Sequence, residues 1–408
     1  MENGNKALKQ RGDRVFIGTY NRYPAAMVKG DGCRLIDADG KEYLDFLSGI
    51  AVCALGHCHP AVTEAICRQA GELVHVSNLY YTRPPIELAE LLTGNSFGER
   101  IFFANSGAEA NEAAIKLARI YSGEGRYQVI SLSGSFHGRT LATVAATGQP
   151  KFHKGFEPLP EGFLHAPFGD LAALEGLITG ATCAILCEPL QGEGGVRPLD
   201  REYLAGIRAL CDKHNLLLIF DEIQTGLGRT GTLFAYEQLG VTPDILTMAK
   251  ALGNGLPIGA MMTRAEIAAP FTPGTHASTF GGNPVASAAA VATLRIMLAD
   301  GFLAEVREKG AYFQAELGKL AERFPGLVVS VRGMGLLVGA VLTEQGATHG
   351  SAIVNKMFDR GFLMNFAGNV ALRFAPPLIV SRSEIDRVVA ALSEVLAEVV
   401  SQKARKPE

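Results

Sequence analysis

The chain has 408 residues, 48% of them hydrophobic and 19% charged, a balance typical of a globular chain that allows two or three domains of about 150 residues each. A formal charge of −3 offers no basic surface for nucleic acid or an anionic membrane. No apolar run approaches the ~18 residues of a membrane helix.

The polar start MENGNKALKQRGDR lacks the apolar core of a signal peptide, and its Glu2 and Asp13 do not suit an acid-poor transit peptide. Seven cysteines without paired spacing fit free thiols in a reducing compartment. The expectation is a cytoplasmic protein.

Residues 1–20 read as a loosely ordered arm. From Ala25 to Leu47, short apolar pieces alternate with Gly-Asp and Asp-Ala-Asp-Gly turns, as in small antiparallel strands. His57-Cys58-His59 has no partner at metal-ligand spacing and reads as a structural loop, so no metal is expected. From Val62 onward helices and strands alternate. Helical periodicity covers Ala61–Gly71 and Pro85–Leu92; the strand Arg100–Ala104 leads into the helix of NSGAEANEAAIKLARIYS. Val129–Leu132 and Ala184–Cys187 read as strands, Asp200–His214 as a helix, and Leu216–Phe220 and Ile245–Ala249 as buried strands. Four or five such strands between helices call for a mostly parallel sheet with helices on both faces. Asn283-Pro284 opens a helix over Val285–Leu298. Beyond it come a helix (Leu303–Phe324), strands near Leu327–Val331 and Gly335–Leu342, a helix near Ala352–Arg360 and a hairpin around Gly368-Asn369. A last helix starts at the capping box Ser381-x-x-Glu384. The expected division is residues 1–55 (arm and strands packing with the small domain), 56–289 (large domain) and 290–408 (small α+β domain).

Two charged residues stand where charge is hard to keep. Asp221 directly follows one buried run and Lys250 another, and ligands of open α/β sheets collect at the carboxyl ends of strands. An amine becomes a nucleophile only when burial lowers its pKa, and an acid can keep a cofactor ring nitrogen protonated. The pair suits Schiff-base chemistry on an aldehyde cofactor such as pyridoxal phosphate. The plainer alternative makes Asp221 a loop cap and Lys250 a surface residue.

Other loops add to the pair. Ser106-Gly107-Ala108 sits at a helix start, where backbone N–H groups attract phosphate, although Ser106-x-x-Glu109 is also an ordinary capping box. In SGSFHGRT, Phe136 can stack on a flat ring and Arg139 can clamp a carboxylate. Glu188, Gln191 and Glu193 follow a strand end, and Gln224 lies three residues beyond Asp221. Arg373, in VALRFAPPL, needs a partner, either a structural acid or a substrate carboxylate. Gly226-Leu227-Gly228-Arg229-Thr230-Gly231 matches the dinucleotide pattern G-x-G-x-x-G, but five residues separate it from the strand and no strand ending in an acid follows.

Together NSGAEANEAAIKLAR, SFHGRT, EPLQGEGG, FDEIQTGLGRTG, TMAKALGNGLPIGAM and HASTFGGNP resemble the class III (ω-amino acid) aminotransferases over nearly the whole chain. NLYYTRPPIELAELL and DADGKEYLDFLSGIAVCALGHCHP carry the likeness toward the bacterial acetylornithine branch. The resemblance implies fold type I, α/β: a large domain with a mostly parallel seven-stranded sheet flanked by helices, and a smaller α+β domain. It implies pyridoxal 5′-phosphate with Lys250 as the Schiff-base lysine and proton shuttle, Asp221 at the pyridine nitrogen, Gln224 near the ring hydroxyl and Phe136 stacked on the ring. Ser106, Gly107 and Ala108 would bind the phosphate, and Thr279 the phosphate of a neighbouring subunit, giving a homodimer with shared active sites. Arg139 and Ser278 would contact acetylornithine and Arg373 the carboxylate of glutamate, with Glu193 pairing to Arg373 in the other half of the cycle. The implied reaction moves the δ-amino group of N2-acetyl-L-ornithine to 2-oxoglutarate, a step of arginine biosynthesis. Relatives of the class use succinylornithine, succinyl-diaminopimelate, ornithine or 4-aminobutyrate, and an aminomutase would share the cofactor residues.

Overall fold

The computed structural model describes residues 3–404, so Glu2 and residues 405–408 of the expected small domain lie outside it. Seven strands lie side by side in the order Arg100–Ala104, Gly259–Thr263, Ile245–Met248, Leu217–Asp221, Thr182–Cys187, Gln128–Leu132 and Phe163–Ala166. Neighbours run parallel, except that Gly259–Thr263 is antiparallel to both of its partners. Thr182–Cys187, Leu217–Asp221 and Ile245–Met248 are buried along their whole length, which is why their apolar runs are continuous rather than alternating.

Alternate residues still feed opposite layers. Leu218 and Phe220 join Ile130, Ile185 and the Arg201–His214 helix on one side. Leu217 and Ile219 join Val129, Leu186 and the Gly107–Ser122 helix on the other. The periodicity points to five of the seven strands. Phe163–Ala166 and Gly259–Thr263 (FLHA and GAMMT) are short and poor in β-branched residues, so little in their own sequence marks them.

A second sheet, Val328–Met334, Leu337–Leu342, Ala371–Phe374 and Asn365–Ala367, packs with the helices Phe302–Arg323, Gly350–Asp359 and Arg382–Ala404. The Ser381–Glu384 box opens the last helix, with Glu384 N donating to Ser381 Oγ at 3.2 Å and Ser381 N to Glu384 Oε2 at 2.8 Å. The antiparallel strands Met27–Asp31, Arg34–Asp37 and Glu42–Asp45 continue into Phe362–Leu363, parallel to the third, so the amino-terminal strands attach to the carboxyl-terminal half.

The expected loose arm is instead a helix over Asn5–Val15. It buries none of its residues, so no apolar stripe announces it. Asn5 anchors it, its N donating to Asp39 Oδ1 at 3.0 Å and its Nδ2 to Asp37 Oδ2 at 2.9 Å, and Lys9 pairs with Asp13 one turn on. The Gly226–Gly231 stretch is a buried connector between the sheets. Arg229 donates to Leu336 O at 3.1 Å and Pro376 O at 2.5 Å, and a Cβ on Gly231 would meet Arg307 Cγ at 2.3 Å. No single helix among the described residues is long and apolar enough to cross a membrane.

Candidate active site

Asp221 ends its strand opposite Thr247 of the neighbouring one, and two residues past the end of that neighbour stands Lys250. Both line one cavity of about 420 Å³. Asp221 is buried, and a buried carboxylate needs donors. Its Oδ2 accepts from Asn111 Nδ2 and lies by His137 Nδ1, each at 2.8 Å, while Oδ1 accepts from Ile223 N at 3.1 Å. Asn111 is fixed in turn, accepting from Thr247 Oγ1 at 2.8 Å and donating to His137 O at 2.8 Å. One helix, one strand and one loop thus set the direction of a single carboxylate.

Lys250 has φ +46°, a left-handed backbone that a side chain adopts only under constraint. Burial pushes its amine below the ordinary lysine range; Glu193 opposes this, Arg373 adds to it, and Asp221 and Glu188 oppose it more weakly. Glu188 is buried on the cavity wall and accepts from Phe136 N at 3.0 Å. Burial, then the nearby Asp221, holds its carboxyl well above the usual range.

At the opposite wall begins the helix Gly107–Ser122, capped by Ser106, whose Oγ accepts from Glu109 N at 3.2 Å. Half of the capping-box reading holds, since the Glu109 carboxylate reaches Asn105 N rather than the cap residue. The N–H groups of Gly107 and Ala108 find no acceptor among the described residues, and both residues line the cavity. Gly107 is needed for packing as well, because a Cβ there would come within 2.7 Å of Ile223 Cδ1. Phe136 lies on the cavity wall, and Arg139 is exposed at its edge, its guanidinium 4.1 Å from the Phe152 ring centroid and without a carboxylate partner among the described residues.

Arg373 is buried and does not itself line the cavity, although Glu193 and Gln224, which it meets, do. Its Nη1 donates to Glu193 Oε1 at 2.5 Å and to Gln224 Oε1 at 3.3 Å, and its Nε donates to Asn365 Oδ1 at 3.0 Å. Its buried Nη2 has no acceptor among the described residues. Burial works against charge on Glu193, but Arg373 and then Lys250 hold its carboxyl below the ordinary range. Gly192 leaves the room this cluster requires, since a Cβ would sit 1.6 Å from Gln224 Oε1.

Ser278 and Thr279 stand apart from this cavity. Ser278 Oγ accepts from Asn105 Nδ2 at 3.1 Å and Gly281 N at 2.9 Å, and Thr279 lines a separate surface cavity of about 410 Å³ with Tyr80, Tyr81 and Phe103. Sequence reasoning passed over Asn111, His137 and Thr247. A polar Asn amid the alanines of a buried helix face, fully enclosed here, was the one signal for them. Within the His57 loop, His57 Nε2 meets Asp45 Oδ2 at 2.7 Å.

The model of the class III aminotransferase family matches residues 18–396. An acetylornithine aminotransferase of Myxococcus xanthus is 52% identical over 390 residues, 94% of this chain and 96% of that one. The fold matches a solved ornithine aminotransferase from Toxoplasma gondii, with partial occupancy of PLP at its active site, at TM-score 0.93 and 32% identity over 99% of this chain and 97% of that one. It also matches the N-acetylornithine aminotransferase of Stenotrophomonas maltophilia at TM-score 0.83 and 36% identity, covering 96% and 99%. With the strand-end pair in one cavity and the likeness running through both sheets, this chain belongs to the class III aminotransferases.

Proposed function

We propose that this aminotransferase uses pyridoxal 5′-phosphate to move the δ-amino group of N2-acetyl-L-ornithine to 2-oxoglutarate, giving N-acetyl-L-glutamate 5-semialdehyde and L-glutamate. The observation that carries the reading is the buried Arg373, engaged by Glu193 of the Lys250 cavity and with no acceptor for its Nη2 among the described residues. Such an arginine suits a substrate carboxylate in one half of the cycle and a protein carboxylate in the other.

The residues fit the cofactor. One cavity brings together an amine, an acid with fixed donors, two unengaged amides at a helix start and an aromatic ring. When bound, pyridoxal phosphate supplies the carbonyl carbon that carries the amino group and the ring that draws electrons from the reacting carbon. Asp221 would hold the pyridine nitrogen protonated. Gln224 would sit near the ring hydroxyl and Phe136 against the ring face. Ser106, Gly107 and Ala108 would hold the phosphate at the positive end of their helix. Burial weakens the hold of Lys250 Nζ on its proton, so it can take one from the substrate carbon bearing the amine and later return it. Arg139 and Ser278 would contact acetylornithine, and Arg373 the carboxylate of glutamate or 2-oxoglutarate. When the acyl substrate is bound, Glu193 would occupy Arg373 and keep its charge compensated.

Thr279 would reach the phosphate of a second subunit in a homodimer with shared active sites. Support comes from its place outside its own cavity, beside the exposed Tyr80, Tyr81 and Phe280. In this reading residues 56–289 hold the cofactor, residues 290–408 are the small domain, and the arm and strands of residues 1–55 pack with it. The free state of all seven cysteines supports a reducing compartment, the cytoplasm.

Comparing kcat/KM for acetylornithine, succinylornithine, ornithine and 4-aminobutyrate, each with 2-oxoglutarate, tests the substrate. Acetylornithine should lead. A clear preference for any of the others replaces this reading with that donor.

A further inference from the structure

A third acid-bearing strand end opens on the Lys250 cavity and has no part in the reaction above. Cys187 pairs with Phe220 across the sheet, so Glu188 and Asp221 leave adjacent strands side by side. Both line the cavity with Lys250, and Glu193 adds a third carboxyl. Three carboxyls in one cavity do not all hold charge at low cost, and the one with fewest donors keeps its proton. Asp221 meets three nitrogens, on Asn111, His137 and Ile223, and Glu193 meets the Arg373 guanidinium. Glu188 has one donor among the described residues, Phe136 N at 3.0 Å from Oε2, and no ion pair. Glu188 is the carboxyl that stays neutral. Burial and then Asp221 push its pKa up, and Phe136 N and Lys250 oppose this without reversing it.

The proton then has a defined place. Oε2 accepts from Phe136 N and so is the carbonyl oxygen, which leaves the hydroxyl on Oε1. Oε1 has no partner among the described residues and, unlike the enclosed Nη2 of Arg373, it opens on the cavity. Pyridoxal phosphate carries its phosphate arm on one side of the ring and its phenolic oxygen on the other. With the arm at Ser106-Gly107-Ala108, that oxygen turns to the wall of Glu188 and Gln224. Both ends of the Gln224 amide are already engaged, Nε2 with Glu193 at 3.5 Å and Oε1 with Arg373 at 3.3 Å. Glu188 is the unengaged donor on that wall.

We propose that Glu188 is a further cofactor-binding residue, a neutral acid whose Oε1 hydroxyl donates a hydrogen bond to the phenolic oxygen of the bound ring, an inference that rests on the pyridoxal phosphate reading of the site. Asp221 then holds the ring at its nitrogen and Glu188 at its oxygen, with Phe136 fixed between them through its backbone N–H. A donor at that oxygen stabilises negative charge there and so sets the visible absorption of the bound cofactor.

The test uses the cofactor-loaded enzyme at pH 7. The infrared difference between the parent and Glu188→Gln should show the C=O stretch of one protonated carboxyl, present only in the parent. Glu222, a buried carboxyl raised to about 7, contributes alike to both proteins and cancels. Glu188→Gln keeps a neutral donor, so its Kd for pyridoxal phosphate should stay within about threefold of the parent. Were Glu188 ionised, removing its charge beside an anionic cofactor would tighten binding on the order of tenfold. Glu188→Ala should bind roughly tenfold more weakly and shift the visible band. No lost carboxyl band, tighter binding in Glu188→Gln, or unchanged affinity and spectrum in Glu188→Ala overturns this proposal alone. A parent that binds no pyridoxal phosphate overturns the functional reading with it. If Glu188→Ala fails to fold, the band and the affinity of Glu188→Gln decide.

Discussion

Arg373 donates to Glu193 across 2.5 Å while its buried Nη2 has no acceptor among the described residues, so one guanidinium is both satisfied and incomplete. An incomplete buried donor costs free energy until something fills it, and a dicarboxylate substrate can. Arg373→Ala should therefore weaken the half-reaction with glutamate on the order of a hundredfold, as when one partner of a buried charge pair is removed, and the acetylornithine half-reaction far less. Stopped-flow measurement of each half-reaction checks this. Equal losses in both would take Arg373 out of its role.

Gly192 tests how tightly that cluster is packed. Gly192→Ala places a Cβ 1.6 Å from Gln224 Oε1, so Gln224 must leave Arg373. Activity should drop by about tenfold or more, since small displacements near reacting groups are costly. Gly71, in the helix Pro60–Glu72 with open space around it, is the control. Gly71→Ala should leave activity unchanged and raise stability by about 0.5–1 kcal/mol.

Asn111 acts through Asp221. Asn111→Ala removes a donor to the carboxylate and leaves Thr247 Oγ1 without its acceptor, costing about 1–3 kcal/mol in urea unfolding. If the residue positions Asp221, kcat should fall while KM holds and the visible spectrum of the bound cofactor shifts. A loss of stability with an unchanged spectrum and kcat would make its role purely structural.

The Asp45–His57 contact gives a pH dependence of stability. The folded ring's pKa is raised to about 10 from its ordinary 6.5, chiefly by the bond to Asp45. A raised histidine stabilises fully below pH 6.5 and loses that contribution as pH climbs through about 10. His57→Gln should therefore be less stable than the parent by about 1–3 kcal/mol at pH 6, with the gap closing toward pH 10. Urea titrations across that range would show it, and a gap of constant size would contradict it.

The strand ends were readable because burial on both faces writes continuous apolar runs, and a charge just after such a run stands out. Asp221 and Lys250 were found that way, the Ser106-Gly107-Ala108 turn by its place at a helix start, and all of them line one cavity. The partners of those groups were not readable in the same terms. Asn111 meets Asp221 across 110 residues and Glu193 meets Arg373 across 180, separations that only the folded sheet resolves. The resemblance to the family, rather than spacing, paired Glu193 with Arg373. The Asn5–Val15 helix escaped notice because it buries nothing, so no periodicity records it.

The account rests on Lys250 as the amine that engages the cofactor beside Asp221. Loading the protein with pyridoxal phosphate, reducing with borohydride and mapping the labelled peptide measures this directly. The expected result is a single label on Lys250, absent in Lys250→Ala. A label on another lysine, or an undiminished label in that variant, would contradict it.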